Sequence, residues 1–534
     1  MIIDKNKLPD DPGLLKEIIF ELSSNYEKEL QKERRKYFTA IEQFNTLRRL
    51  YFGKRSEKLT EFDKEQMLLF NEAESVVTRS DRNDEAEPEA SVFTVKSHTR
   101  KKPGRKPIPS NLPREEIVHD LPEEEKKCPC CMKERPVIGR DESEELDIVP
   151  AKIKVIKHIR LKYGPCTCDE FLHQGISEVK TAKAPERMIP GSIASPGLLA
   201  YVLTSKFADS LPFYRQSKMF DRIDADISRA TMCNWTILVA EKCKELISIM
   251  EEEIRGGPLI QMDETTLQVL KEGERKAESK SYMWVTVGYP AGEKNKPLIL
   301  YKYHPTRSRE VPKEFLKEYK GYLQTDGYAG YNRAGETEEI VHAGCFAHAR
   351  RYFYDAMKQN KKSKAAYKGL SYIQKIYSIE NDLRQRKLSR DEFVQKRKEL
   401  TIPVLEEFNN WLLSQRDSIL PESKTGKAIK YTISEWGKLI RYLEHHLLTP
   451  DNNMVENAIR PFVIGRKNWL FANTPRGAHA SAAIYSLIES AKANGLEPYH
   501  YLRFLFINLP KVQSREDIRG LMPNHINLKD IELP

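Results

Sequence analysis

Four short apolar runs crowded between residues 258 and 330 constrain the fold more than any other feature: PLIQMDETTLQVL, SYMWVTVGY, PLILYKYH and GYLQTDGYAG. Each is rich in Val, Ile, Leu, Met or Tyr and has the length of a buried strand. VPKEFLKEYK, between the third and fourth runs, has the spacing of a crossover helix. Three strands, a crossover and a further strand predict a mixed α/β sheet within an α+β chain.

Acidic residues sit at telling places in this frame. Asp263 lies in the first run, Asp326 in the fourth, and Glu456 in DNNMVENAIRP, a segment that reads as helix. Neighbouring strands can present two aspartates side by side while a packed helix brings a glutamate from far away. Three hard oxygen ligands of this kind can hold two divalent cations, Mg²⁺ or Mn²⁺, over a phosphodiester. That chemistry points to DNA cutting and joining. A lone aspartate after an apolar run more often caps a turn, so the triad draws its weight from the words around it.

At 534 residues the chain is too long for one core, and several domains are expected. No apolar run approaches the ~20 residues of a membrane span. The opening MIIDKNKLPDDPGLLKEIIF shows no secretory pattern, so a cytoplasmic, nucleoid-associated protein is expected. A net charge of +10 suits a nucleic-acid partner and equally a bland basic surface. Of the eight cysteines, five fall between Cys128 and Cys168, which suggests a metal in a reducing compartment rather than a disulfide scaffold.

Residues 1–77 are helical in pattern, with apolar Leu15, Ile18, Leu22, Tyr26, Leu30, Tyr37, Ile41, Phe44 and Tyr51 at helical spacing. Two readings stand: a coiled coil or helical hairpin broken at Gly53, or an amphipathic helix packed on its own domain. Residues 78–115 turn acidic and then basic and proline-broken, as a disordered linker does. Within it RKKPGRKP, with Arg105 and Lys106, resembles a minor-groove hook, and a solvated basic linker is the other reading. Residues 116–180 form a small cysteine-rich module in which IKVIKHIRLKY alternates like a strand. Residues 181–255 read as a helical connecting and DNA-binding region. Near the end, SAAIYSLIESAKANGLEPYHYLRFLF gives two helices with Asn494-Gly495 as the stop between them.

MDETTLQV, LQTDGYAGYN, CFAHARRYFYDA and NNMVENAIRPFVIGRKNWLFANTPRGAHASAAIYSLI closely resemble the insertion sequence 66 family of bacterial transposases. The resemblance continues upstream through LRRLYFGKRSEKL, GRKPIPSNLPREEIVHDL, CPCC and KFADSLPFYRQSKMF, in family order over nearly the whole chain. It implies a ribonuclease-H-like catalytic core in two parts, residues 256–345 and 449–500, split by a helical insertion at 346–448 and followed by a helix and tail at 501–534. It implies catalytic, metal-holding roles for Asp263, Asp326 and Glu456.

Arg460, Arg466, Lys467 and Trp469 follow Glu456 closely. The cations could hold phosphates of a DNA end and the indole could stack on a base, or Arg460 could pair with a carboxylate and Trp469 belong to the core. Cys345 and His348 form a C-x-x-H pair, which needs further ligands to hold zinc and is otherwise a buried Cys and a satisfied His. Cys128 and Cys131 form a C-x-x-C knuckle. The family's zinc-finger module answers it with a second C-x-x-C, but here the chain reads Pro165-Cys166-Thr167-Cys168. Cys166 and Cys168 could still close a structural Zn²⁺ site, with Cys130 or His173 as substitutes.

The resulting expectation is a DNA transposase. It would bind the terminal inverted repeats of its own element, cleave there and join the ends to target DNA. It would work as a homodimer or larger assembly, with accessory proteins of the same element as further partners. A catalytically silent DNA-binding regulator is the alternative.

Overall fold

The computed structural model describes residues 11–52, 153–163, 180–273, 275–291, 296–336, 339–360, 363–416 and 418–527. The fold is mostly helical and contains one five-stranded mixed sheet. It divides into two units, residues 71–184 and the remainder. The described residues begin with α1 (Pro12–Phe52), a helix of 41 residues; Gly53 lies outside the described residues. Asp11 starts it by accepting the Gly13 N–H at 2.9 Å, with Pro12 preset at the first helical position. Leu15, Ile18 and Leu22 make a half-buried line along it, while Ile19, Phe20 and Tyr26 are exposed.

In the smaller unit, β1 (Lys162–Tyr163) pairs antiparallel with β2 (Lys180–Thr181). The strand expected over 153–163 is therefore reduced, among the described residues, to two paired positions. Side chains on both parities of the alternation, including Val155, Ile156 and Ile159, lie exposed. Alternation alone makes no strand without a partner ladder beside it. Cys128, Cys131, Cys166 and Cys168 lie outside the described residues, as do Arg105 and Lys106.

The larger unit continues with four helices: α2 (Pro196–Phe207), α3 (Phe213–Asp221), α4 (Arg229–Lys242) and α5 (Lys244–Arg255). Ser195 and Ser228 cap the first and third of these through their hydroxyls. The sheet follows as β3 (Leu259–Gln268), β4 (Lys280–Gly288) and β5 (Leu298–His304). The expected crossover helix is only α6 (Glu310–Phe315), after which come β6 (Gly321–Gln324) and β7 (Ile340–Ala343). Strand order is β5-β4-β3-β6-β7, antiparallel among the first three and parallel from β3 through β7. β4 and β5 are buried almost continuously, as strands covered on both faces must be.

Helices α7 (Phe346–Gln359), α8 (Lys364–Gln385), α9 (Arg390–Arg416), α10 (Lys424–Ser434) and α11 (Trp436–Leu439) then pack around their own aromatic core of Phe353, Tyr372, Phe408 and Trp411. The chain returns to the sheet as α12 (Asn453–Trp469), α13 (Pro475–Ala493), α14 (Pro498–Asn508) and α15 (Arg515–Gly520). Helix α13 seals the free edge of the sheet. Ser486 and Ser490, one turn apart, accept the outward Tyr301 and Ile299 N–H groups of β5 at 2.8 Å each. An edge strand's open ladder is thereby closed by side chains instead of another strand.

Two buried glutamines fix the middle of the sheet. In the parallel pair, Gln261 of β3 stands opposite Gln324 of β6, and Gln261 Nε2 donates to Gln324 Oε1 at 2.7 Å. Gln324 Nε2 donates in turn to the carbonyls of Thr449 at 2.6 Å and Gly344 at 3.2 Å. One side chain thus joins two strands, the exit from β7 and the loop that leads into α12. Gln324→Met keeps the volume but strands these partners, at about 1–3 kcal/mol for each buried group left unpaired. The variant should unfold at clearly lower urea concentration than wild type, and an unchanged midpoint would deny the glutamine this role.

Candidate active site

The β3–β6 register sets the geometry of the site. Gln261 is level with Gln324, and two residues further along each chain lie Asp263 and Asp326. With a side-chain period of two, Asp263 continues the face of β3 that carries Gln261, and Asp326 follows Gln324 just beyond the end of β6. Asp263 is inside β3, where burial gives way to partial exposure over Asp263–Thr266. Asp326 lies past the end of β6, not within a strand. Its Oδ1 accepts the Tyr328 N–H at 3.0 Å, an Asx turn that bends the chain away from the sheet.

Glu456 enters from the first turn of α12. This helix is tied to the sheet at both ends: before it by the Thr449 carbonyl on Gln324, after it by a bridge between Ala472 and Val269. Partway along, Tyr301 of β5 donates its hydroxyl to the Ala458 carbonyl. Glu456 Oε1 is buried and accepts no hydrogen bond.

The three acids act on one another electrostatically. Burial first, and then the charges of Glu264 and Asp326, push Asp263 well above the ordinary aspartate range, with Glu456 adding to the effect. Burial likewise raises Glu456, opposed by Arg351 and Arg460 and reinforced by Asp451 and Asp326. Arg460 stands one turn beyond Glu456 on α12 and Arg351 reaches in from α7.

A supporting cluster was missed by sequence reasoning. Glu264, beside Asp263 but on the opposite face of β3, has a side chain only 1% exposed. Arg307 Nε donates to its Oε1 at 2.5 Å and the Tyr331 hydroxyl to its Oε2 at 2.5 Å. The Arg307 guanidinium lies 3.8 Å above the Tyr328 ring, and the Tyr328 hydroxyl donates to the Arg307 carbonyl at 2.7 Å. The signal available in the sequence was the Asp-Glu doublet and the tyrosines of GYAGYN, which have no meaning until the fold joins them to Arg307.

Cys345 and His348 also converge on Glu456. β7 delivers Cys345 to the start of α7, where it is buried, and His348 follows on the first turn. One ligand atom from each of Cys345, His348 and Glu456 lies within 4.8 Å of the others. Burial and Arg351 lower the His348 pKa, so its neutral form is favoured.

The basic residues after Glu456 separate into distinct environments. Arg466 Nη1 turns inward and donates to Thr266 Oγ1 at 3.0 Å, bracing α12 against β3. Lys467 is exposed. Trp469 meets Phe462 edge to face at 5.5 Å, and its indole nitrogen is buried beside Tyr485. Trp469 is thus a partly buried ring packed against the core.

The charge cluster has a cost that can be measured. An aspartate whose folded pKa lies above its unfolded one binds more protons folded than unfolded, so its stabilising contribution holds below the ordinary value of 3.8 and is lost as pH rises above it. Asp263→Asn should therefore melt higher than wild type at pH 7 in chelator, at about 2–4 °C for each kcal/mol released in domains of 150–250 residues. The advantage should shrink toward pH 4. Added Mg²⁺ should raise the melting temperature of wild type and leave the variant nearly unmoved. Equal melting of the two proteins in chelator at pH 7 would refute this electrostatic account.

Comparison with known proteins supplies the family. Residues 191–480 match the Transposase IS66 family, and residues 486–524 match the IS66 C-terminal element. Residues 125–169 match the zinc-finger binding domain of transposase IS66, and residues 41–117 match the Transposase C of IS166 homeodomain. Among curated relatives from Sinorhizobium fredii, uncharacterized protein y4qI is 31% identical over 84% of this chain and 85% of its own length. Uncharacterized protein y4jD, from the same organism, is 32% identical over 85% of this chain and 88% of its own. More than half of the chain lies within the match to the transposase domain, and the remaining matches follow in order along it. The chain belongs to the IS66 family of transposases.

Proposed function

We propose that Asp263, Asp326 and Glu456 form the catalytic centre of a ribonuclease-H-like core that cuts the ends of an insertion sequence and joins them to target DNA. The observation that carries this reading is the convergence of the three acids. The two aspartates continue facing positions of a parallel strand pair, and the glutamate arrives on a helix anchored to the same strands. The mixed five-stranded sheet with helices beside it supports the ribonuclease-H-like assignment.

The donor set fits divalent cations. Burial, and then neighbouring acids, raise the proton affinity of Asp263 and Glu456, and a buried Glu456 oxygen lacks any hydrogen-bond partner. Asp263, Asp326 and Glu456 would hold two Mg²⁺ or Mn²⁺ ions. Such ions, when bound, make water or a 3′ hydroxyl a better nucleophile and stabilise the leaving oxygen. The chain's own residues do the rest. Glu264, neutralised by Arg307, keeps β3 in register behind Asp263. Arg351 and Arg460 flank Glu456 and, with exposed Lys467, offer charge to the DNA backbone.

In this scheme water attacks the phosphorus at each element end and the bond to the 3′ oxygen breaks; the freed 3′ hydroxyl then attacks a phosphorus of target DNA, whose own 3′ oxygen leaves and takes up a proton. The cysteine module would hold Zn²⁺ through Cys128, Cys131, Cys166 and Cys168, and with Arg105 and Lys106 of the linker it would recognise the inverted repeats. Helix α1 would supply a dimer contact that brings two ends together. Accessory proteins of the element would complete the assembly.

Incubating the purified protein with Mg²⁺ and labelled DNA bearing the element's terminus tests the reading. Wild type should nick at the terminus, and Asp326→Ala should lose more than about 100-fold of that rate, beyond what supporting residues of a metal site cost. Specific binding with no nicking by wild type, even with the neighbouring gene products added, would favour the silent regulator. Lys467→Ala should weaken binding equally on all DNA sequences and reduce the salt slope by about 1.

A further inference from the structure

We infer that Cys345, His348 and Glu456 form a zinc site that competes with the catalytic cations for Glu456. The inference rests on the catalytic reading of Glu456 given above; the site itself rests on geometry alone. Cys345 and His348 lie one turn apart at the start of α7, and Glu456 comes from the first turn of α12. Their ligand atoms fall within 4.8 Å of one another. Tetrahedral bonds of 2.0–2.3 Å space ligands by about 3.5 Å, so at most about 1.3 Å of side-chain movement closes the site. Two of the three side chains carry a buried atom with no partner: His348 Nδ1 and Glu456 Oε1. Asn452, the residue that caps α12, is fully buried with neither amide atom partnered. Polar groups left unpaired together at one spot mark a place built for something not made of protein.

The ligand chemistry selects the ion. A thiolate and an imidazole are poor ligands for Mg²⁺, which takes oxygen and keeps its waters. Both suit Zn²⁺, and three protein ligands leave the fourth position for water. Binding would release the Cys345 thiol proton to solvent and commit one Glu456 oxygen to zinc. Glu456 would then be withdrawn from the acid pair on β3 and β6, and zinc would silence cleavage. The sequence already held half of this site in its C-x-x-H spacing; the fold adds the third ligand from 108 residues further on.

The test counts metal on the full chain and does not depend on cleavage. Metal-free wild type is titrated with Co²⁺, a zinc surrogate whose thiolate charge-transfer band reports sulfur ligation. Wild type should take up one equivalent more than Cys345→Ser, with a matching loss of band intensity in the variant. Glu456→Gln, which keeps the side chain's shape, should weaken the same equivalent and guard against a folding defect in the serine variant. Equal uptake and equal bands in all three proteins would overturn the site. In a second arm Zn²⁺ is added to Mg²⁺-supported nicking, each protein being compared with its own zinc-free rate. Wild type should be inhibited and Cys345→Ser should resist. Equal inhibition of both would overturn the competition, whereas absence of nicking in wild type at any zinc level would count against the catalytic reading and leave the metal count to decide the site.

Discussion

The contact between Gln261 and Gln324 is the point on which the acidic site depends. Both side chains are buried, where an unpaired amide is expensive, so the bond between them holds β3 and β6 to one register. A slip of one residue would point every side chain to the other face and carry Asp263 away from Asp326. The same Gln324 amide also holds Thr449 and Gly344, so the loop that launches α12 is located by the residue that locates Asp326. Segments as far apart in sequence as those that carry Asp263 and Glu456 are thus linked through a short polar network as well as by the packing of the core.

The helical insertion contributes a second buried network near the same place. Arg397 of α9 has no exposed surface; it pairs with Glu380 of α8 at 2.7 Å and donates to the carbonyls of Tyr442 at 2.6 Å and Leu448 at 3.0 Å. Arg384 donates to Leu448 as well, at 3.1 Å. Leu448 immediately precedes Thr449, so the insertion holds the segment just before α12 while Gln324 holds its next residue. A buried ion pair is weak evidence for stability in itself, but with both terminal guanidinium nitrogens donating to backbone carbonyls it fixes where a chain runs. The insertion is therefore more than a long excursion between β7 and α12: it sets the position from which Glu456 approaches.

The strands and the helical stretches were legible because they rest on local patterns: apolar runs of strand length, helical periodicity, and the Asn494-Gly495 stop, where Gly495 takes the positive φ expected of it; the three acids were singled out by the family words around them. β7 escaped because four residues, Ile340–Ala343, are too few to show alternation. Asp326 was read as a strand residue because GYLQTD is apolar up to the point where the Asx turn intervenes. The Glu264–Arg307–Tyr331 cluster and the approach of Cys345 and His348 to Glu456 were illegible for a different reason. They are contacts between elements, and no spacing along one element encodes them. The alternation over 153–163 misled in the opposite sense, since a strand pattern has force only beside a ladder that accepts it.

Charge balance explains why Asp263 and Glu264 can stand side by side at the heart of the sheet. Period-two geometry sends them to opposite faces. Behind the sheet Glu264 is answered by Arg307 and Tyr331, and the guanidinium is itself covered by the Tyr328 ring. In front, Asp263 and Asp326 accept from the backbone N–H groups of Glu264 and Tyr328, and the cations that act on Glu456 approach from its own helix and from α7. The protein therefore neutralises the acid that braces the strand and leaves the acids that face the open site in excess. Such an excess adds to the burial that chiefly raises the proton affinity of Asp263, and the same negative field draws cations toward it. Which carboxylate the protein answers with its own groups and which it leaves to that field follows from the face of β3 that each occupies.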